Sequence, residues 1–439
     1  MRITALALGA MLASFTATAA EVPNGDVNDP YRYTANVQHA RLAALQAMGK
    51  TKGAKGRLGA AGYYRVRGEL DNSSRAAREC LAGVASEPAD TVKGVAYLCS
   101  ATLAGNALLQ GDIAGWARQM QDVRARLHSD ILPMLKDTPG EVRVASVSEP
   151  HFERFLQWPR SAEPVAAPAA DVSVPIQLQN ELPTITLKVK TATGERDLRV
   201  HVDTGAARSR IGRTLAAELG LALTEGFTVA NDRGDALFAL ATPMDLEIGG
   251  LAVRQVSFAV LGQDDLPRIG LDVLRALGRV RIDKDALVVQ AASSNVPCTR
   301  RMATVSSLTG DDYQLRYPIR AGKDSILVHL DTGFNGAFMA SGIPPTMPPP
   351  AAVQRRNIIT TDGARDLKYA GATTPVMIGE EVLNLPVDLA LEPGRLFNPD
   401  WQAGFATTQR YSLYLDVVGT FGCPVPVPQA APLLPPRAP

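Results

Sequence analysis

Leu198-Arg199-Val200-His201-Val202-Asp203-Thr204-Gly205 decides how the rest of the chain is read. Leu198, Val200 and Val202 alternate with polar residues, so an extended strand here has one apolar face. Upstream, Ile185, Leu187 and Val189 alternate in the same way, and Thr191-Ala192-Thr193-Gly194 supplies the turn of a β-hairpin. The unit then returns: Ile326, Val328 and Leu330 follow a turn at Ala321-Gly322-Lys323-Asp324 and run into Asp331-Thr332-Gly333. Other landmarks recur at the same spacing of about 130 residues, Ile248-Gly249 with Ile378-Gly379 and Arg281-Ile282-Asp283 with Tyr414-Leu415-Asp416. Near-constant spacing marks an internal duplication rather than two chance tripeptides.

The surrounding chain has 439 residues, 46% of them hydrophobic, with 45 Lys and Arg against 44 Asp and Glu. The length predicts several domains with cores of their own, and the balanced charge argues against nucleic acid or an anionic membrane surface as partner. Residues 1–20 read as a secretory signal, with Arg2, an apolar run from Ile3 to Phe15 and Ala17-Thr18-Ala19 as a cleavage pattern. No later segment approaches the about 20 apolar residues of a spanning helix, which predicts a soluble, periplasmic or secreted protein. In an oxidising compartment Cys80, Cys99, Cys298 and Cys423 favour disulfides. Among three connectivities, Cys80–Cys99 and Cys298–Cys423 are favoured, with buried free thiols as the alternative. No close Cys or His pairs suggest zinc.

Residues 31–137 are helical in pattern, with segments expected at Val37–Met48, Ser74–Val84, Val92–Leu109 and Ile113–Leu135. Small and large apolar residues around Gly111-Asp112 give this all-α region the look of a tetratricopeptide-like helical hairpin, weighed as a docking site for a protein partner against a plain structural cap. Residues 160–176 are rich in Ala and Pro and read as a linker. Strand patterns then fill 177–292 and 298–423, and residues 424–439 read as a Pro-rich tail.

Asp203-Thr204-Gly205-Ala206 is followed by a helical pattern over Arg213–Leu219 and later by Arg268-Ile269-Gly270-Leu271. On these residues the chain resembles the retropepsin-like aspartic proteases, closely over residues 177–290 and less so over 303–420. The resemblance implies a mainly β fold of two tandem retropepsin-like β-barrel lobes behind the helical region. It implies that Asp203 and Asp331 are catalytic, that Ile269-Gly270 supports the first active-site loop, and that Thr204 and Thr332 brace the two loops. Gly205 and Gly333 let the backbone turn beside the carboxylates. The resemblance implies flap hairpins over the substrate; the candidates are the turns at Asn231-Asp232-Arg233-Gly234 and Thr361-Asp362-Gly363, with Arg233, Gly234, Asp362 and Gly363 as candidate substrate contacts and ordinary surface hairpins as the alternative.

Two carboxylates about 3 Å apart cannot both ionise, so one keeps a proton while the other acts as a base towards water. Which of Asp203 and Asp331 does which stays open, because such a pair titrates as a unit. Neither Ala206 nor Phe334, beside the two loops, has a side-chain donor that would favour the ionised form, which predicts activity at less acidic pH than pepsin's. His201 and His329, each two residues before its Asp, are expected on the cleft side of their strands. The favoured reading is that they line substrate subsites; structural histidines and a metal site with the two aspartates are the others.

The second copy departs from the pattern: Pro344 to Pro350 replaces the helix, and Phe397-Asn398-Pro399 is expected where the first copy has apolar-Gly. Taken together, the sequence reads as an exported aspartic endopeptidase acting on peptides or proteins, with no cofactor. It would work as a single-chain pseudo-dimer or as a homodimer. The alternative is an inactive peptide-binding or scaffolding protein with a degenerate second lobe.

Overall fold

The computed structural model describes residues 32–86, 92–135, 144–191, 194–231, 234–261, 266–298, 300–321, 324–341, 353–360, 363–378, 381–390 and 401–427. The signal-like segment, the hairpin tips with Arg233 and Asp362, the Pro344–Pro350 run, Phe397-Asn398-Pro399 and residues 428–439 lie outside the described residues.

Among the described residues six helices come first: α1 (Tyr33–Gln38), α2 (Leu42–Gly49), α3 (Gly53–Val66), α4 (Leu70–Gly83), α5 (Val92–Leu109) and α6 (Ile113–Arg126). The single helix expected over Val37–Met48 is broken at Ala40, whose φ of 50° is left-handed. The sequence reading had no α3, whose four glycines argue against a helix. Those glycines are there for contact. A Cβ on Gly59 would stand 2.6 Å from the Gly49 nitrogen, and one on Gly62 2.5 Å from the Tyr33 ring, so α3 can close directly onto its neighbours. Cys80–Cys99 ties α4 to α5. Contrary to the expectation that no later segment is span-like, α5 is long and apolar enough to cross a membrane; 78% of it is buried inside the protein, as in a core helix.

Beyond the helices the protein is mostly β, built as two half-barrel lobes and a sheet between them. In the first lobe the strands run, side by side, 182–191, 194–202, 268–269, 210–212, 259–261, 234–241 and 223–231. The second lobe repeats that path as 313–321, 324–330, 401–403, 338–341, 381–390, 363–378 and 354–360. Both lobes place a short strand parallel to the strand that ends in Asp-Thr-Gly, Arg268–Ile269 beside His201–Val202 and Trp401–Ala403 beside Val328–Leu330. The alternating residues of the first hairpin, Ile185, Leu187, Val189, Val200 and Val202, are all at most 1% exposed. Each such burial contributes about 1.5–3 kcal/mol before entropy is counted.

The lobes are joined by a five-stranded sheet in the order 172–175, 286–289, 279–282, 411–416, 421–426. At its centre Arg281 pairs with Tyr414, two positions that the sequence repeat already equates, so the pseudo-twofold axis passes between them. Cys298–Cys423 closes the second lobe. Two expectations change here. The stretch read as a linker is docked: Ala162 N–H donates to the Gln255 carbonyl, Val165 N–H to the Ala276 carbonyl, and Val172–Pro175 is a strand. The tail read as starting at Pro424 begins as the strand Phe421–Pro426. Both strands are edges of the shared sheet, where proline's missing N–H costs no ladder bond.

Candidate active site

Each Asp-Thr-Gly loop begins where its strand ends and is held from behind by the short parallel strand. Asp203 N–H donates to the Ile269 carbonyl at 3.0 Å and Asp331 N–H to the Ala403 carbonyl at 2.9 Å. Past the loop, Leu271 N–H donates to the Ala206 carbonyl and Phe405 N–H to the Phe334 carbonyl. These paired bonds identify Ala403-Gly404 as the counterpart of Ile269-Gly270 and correct the expectation that Phe397-Asn398-Pro399 fills that place. Gly404 stands where a Cβ would lie 2.4 Å from the Phe334 carbonyl oxygen, as one on Gly270 would lie 2.6 Å from that of Ala206. The frame around the second loop thus matches the first, with Phe334 where the first lobe has Ala206.

The two loops meet tip to tip. Thr204 N–H donates to Thr332 Oγ1 and Thr332 N–H to Thr204 Oγ1, both at 3.0 Å. The hydroxyls pass the bond on, Thr204 to the Leu330 carbonyl at 3.0 Å and Thr332 to the Val202 carbonyl at 2.6 Å. Both threonines are fully buried, so breaking the exchange would leave donors and acceptors without water. The exchange carries each carboxyl over the opposite loop. A Cβ on Gly205 would lie 2.3 Å from Asp331 Oδ1, and one on Gly333 2.7 Å from Asp203 Oδ1. The Gly205 and Ala206 N–H groups donate to Asp203 Oδ1 at 2.9 and 3.1 Å, and Gly333 N–H donates to Asp331 Oδ1 at 2.9 Å.

The surroundings of the two carboxyls differ. Arg268 Nη1 donates to Asp203 Oδ2 at 3.0 Å, with side chains only 18% and 6% exposed. At the matching register position in the second lobe, Gln402 Nε2 donates to Asp331 Oδ2. Burial first, and the Asp203 charge second, push Asp331 up to about 8, against the lowering effects of the Gly333 N–H and Arg268. Asp331 is half-buried. The sequence reading quoted Arg268 in its motif but gave it no role at the carboxyls, and it did not name Gln402. The two-residue offset before each apolar-Gly was available as a signal, but only once Gly404 was matched to Gly270.

His201 and His329 are buried at 5% and 6% exposure, which does not support the reading that they line open subsites. Each Asp lies past the last strand residue, Val202 or Leu330, so the strand's alternation does not extend to it. His201 Nδ1 is 3.0 Å from Thr184 Oγ1. Burial and then Arg316 push His329 down to about 3, so it is neutral at ordinary pH. Among the described residues no three or more His, Cys, Asp or Glu side chains are grouped to hold a metal ion.

Gly234 and Gly363 each begin the returning strand of a hairpin, Leu223–Asn231 with Gly234–Ala241 and Gln354–Thr360 with Gly363–Ile378. The base of the first hairpin is held by the segment after the helices. His151 N–H donates to the Gly226 carbonyl at 2.9 Å, and Phe227 packs with Trp116, Phe152 and Phe155. Gly226 has φ 94°, and a Cβ there would strike the His151 ring at 2.4 Å. Nothing in the sequence linked these distant aromatics.

Comparison with curated proteins by sequence gives no match. Among solved structures the chain is similar to an aspartic proteinase from Irpex lacteus, at 13% identity and TM-score 0.37, over 60% of this chain and 99% of that one. It is similar to basic 7S globulin from soybean at 13% identity and TM-score 0.34, over 58% and 95%, and to edgp at 10% identity and TM-score 0.37, over 59% and 95%. Likenesses of this size say nothing about activity. By sequence, residues 189–276 match the family model described as gag-polyprotein putative aspartyl protease. That span holds Asp203-Thr204-Gly205-Ala206 and Ile269-Gly270, so in sequence the first lobe is similar to the retropepsin-like aspartic proteases.

Proposed function

We propose that this chain is an aspartic endopeptidase in which Asp203 and Asp331, from two lobes of one chain, act on a single water. The observation that carries this reading is the crossing of the two loops: exchanged threonine bonds hold each carboxyl against the opposite glycine. In that arrangement one carboxyl is driven to keep its proton beside the other's charge. The ionised carboxyl takes a proton from water as its oxygen attacks the scissile carbonyl carbon, while the protonated carboxyl gives its proton to the carbonyl oxygen. Collapse of the resulting gem-diol breaks the C–N bond, the leaving nitrogen takes a proton, and the dyad returns to one proton. No cofactor enters these steps.

The matched frame around Asp331 favours catalysis over the inactive binding alternative, since Ala403-Gly404 supports that loop as Ile269-Gly270 supports the first. The shared sheet and the Thr204–Thr332 exchange favour a single-chain pseudo-dimer over a homodimer. Two disulfides are consistent with an extracellular or periplasmic location. The test is incubation of the purified protein with a denatured protein mixture from about pH 3 to about pH 8, beside Asp203→Asn and Asp331→Asn variants. New termini are identified by mass spectrometry. Cleavage lost in both variants is expected; loss only with Asp203→Asn would point to pairing between chains, and stoichiometric binding without cleavage would favour the scaffold.

A further inference from the structure

The repeat makes the two lobes equal in backbone but not in charge, and the difference falls on the carboxyls themselves. Arg268 and Gln402 hold matching positions, each two residues before its supporting glycine, each opposite the histidine that precedes the aspartate. Arg268 reaches Asp203 Oδ2 with a charged donor, whereas Gln402 reaches Asp331 Oδ2 with a neutral one. The guanidinium stays charged at any pH the protein meets, and a largely buried partner is screened little by salt. A charged donor favours the ionised form of its acceptor; a neutral amide can bond to the carbonyl oxygen of a protonated acid just as well.

We propose that Arg268 is a positioning residue that fixes the division of labour in the dyad, holding Asp203 as the base that takes the water proton and leaving Asp331 as the acid. This rests on the protease reading above and deepens it. Two equal carboxyls in a symmetric site would exchange these roles freely. Here the assignment is built into the floor of the cleft, and the singly protonated pair persists over a wider span of pH. The other groups that face the pair do not undo this. Arg210 lies opposite Arg268 in the next strand, and its charge acts on Asp312. His329 stands behind Asp331 and is neutral, with Arg316 beside it, and His201 is bonded to Thr184.

Two measurements test the assignment, one of them independent of turnover. With 13C-labelled aspartate carboxyls, the Asp331→Asn protein reports Asp203 alone and the Asp203→Asn protein reports Asp331 alone. Asp331 is expected to keep its proton to the higher pH of the two. Carboxyls that titrate together, or in the reverse order, overturn the proposal. In the pH profile of kcat/KM, Arg268→Gln is expected to move the acidic limb up by about one to three units, and Arg268→Lys to restore most of the shift. An acidic limb that stays in place in Arg268→Gln, or that Lys restores no better than Gln, also overturns it. If Arg268→Gln does not fold, the two asparagine variants decide alone. Absence of any cleavage with the carboxyl difference intact would sink the protease reading, and the catalytic roles with it, and leave standing only the inequality of the two carboxyls.

Discussion

Gly205→Ala isolates the geometry of the dyad from the stability of the fold. The added methyl would lie 2.3 Å from Asp331 Oδ1 and 2.4 Å from its Cγ. Ordinary contact needs about 3.4 Å, so the carboxyl must retreat by about 1 Å. It can do so, because it is the end of a side chain and no backbone atom is among the close contacts. The fold should therefore survive while the reacting atoms move. A displacement of about 1 Å in a preorganised site costs about 100-fold in rate, or about 2.7 kcal/mol of transition-state stabilisation. Gly333→Ala meets Asp203 Oδ1 at 2.7 Å, a milder clash, and should cost less. The assay is kcat/KM on a quenched peptide whose cleavage site has been mapped, with Tm for each variant. A folded Gly205→Ala protein with near wild-type kcat/KM, or a larger loss in Gly333→Ala, would refute the reasoning.

The remaining expectations concern stability. Asp331 binds its proton more tightly folded than unfolded, so its contribution is complete at low pH and is lost as pH rises through about 8. Tm should fall between about pH 4 and about pH 8 in the wild type, level off above that, and fall less in Asp331→Asn; parallel curves would contradict the raised carboxyl. Phe227→Ala empties the centre of the aromatic cluster and should cost about 3–5 kcal/mol in denaturant unfolding, a loss below about 1 kcal/mol counting against the cluster as the anchor of the first hairpin. Arg65→Ala leaves Ser306 Oγ, the Thr102 carbonyl and Asn106 Oδ1 without their buried donor and should cost about 3–5 kcal/mol, measured the same way.

What the sequence disclosed, and what it hid, follows from how local each signal is. The hairpins and both Asp-Thr-Gly loops were legible because alternation with period two and a repeated tripeptide are read within a few residues. Helix α3 was not, because its glycines look like loop residues until Tyr33 and Gly49 are seen against them. The second apolar-Gly was sought at Phe397-Asn398-Pro399, because the repeat spacing of about 130 residues from Gly270 falls nearer to Asn398 than to Gly404. The strand Phe421–Pro426 was hidden by its prolines, which only its edge position makes harmless. Arg268 and Gln402 needed the register between strands far apart in sequence, which no local pattern contains.

That same distance in sequence bears on the helical region, which the sequence weighed as a docking site against a plain structural cap. Arg65 of α3 is fully buried and its guanidinium bonds to Ser306 Oγ and the Ser307 carbonyl in the second lobe, while Thr304 Oγ1 donates back to the Arg65 carbonyl. Thr420, beside the shared sheet, donates to the Arg67 carbonyl. On the other side Trp116 of α6 packs on Phe227, at the base of the hairpin expected to cover the first carboxyl. Ala303 and Val305 share a core with α1 to α5, and Leu240 and Ala259 share one with α6. Loss of the helices would expose both sets of apolar residues and leave Ser306 Oγ and the Ser307 carbonyl without their charged donor, a combination that weighs heavily on a marginally stable fold. An inhibitory segment must leave its enzyme intact on departure; these helices instead complete the core of one lobe and anchor the hairpin of the other, which makes them part of the body that holds Asp203 and Asp331 together.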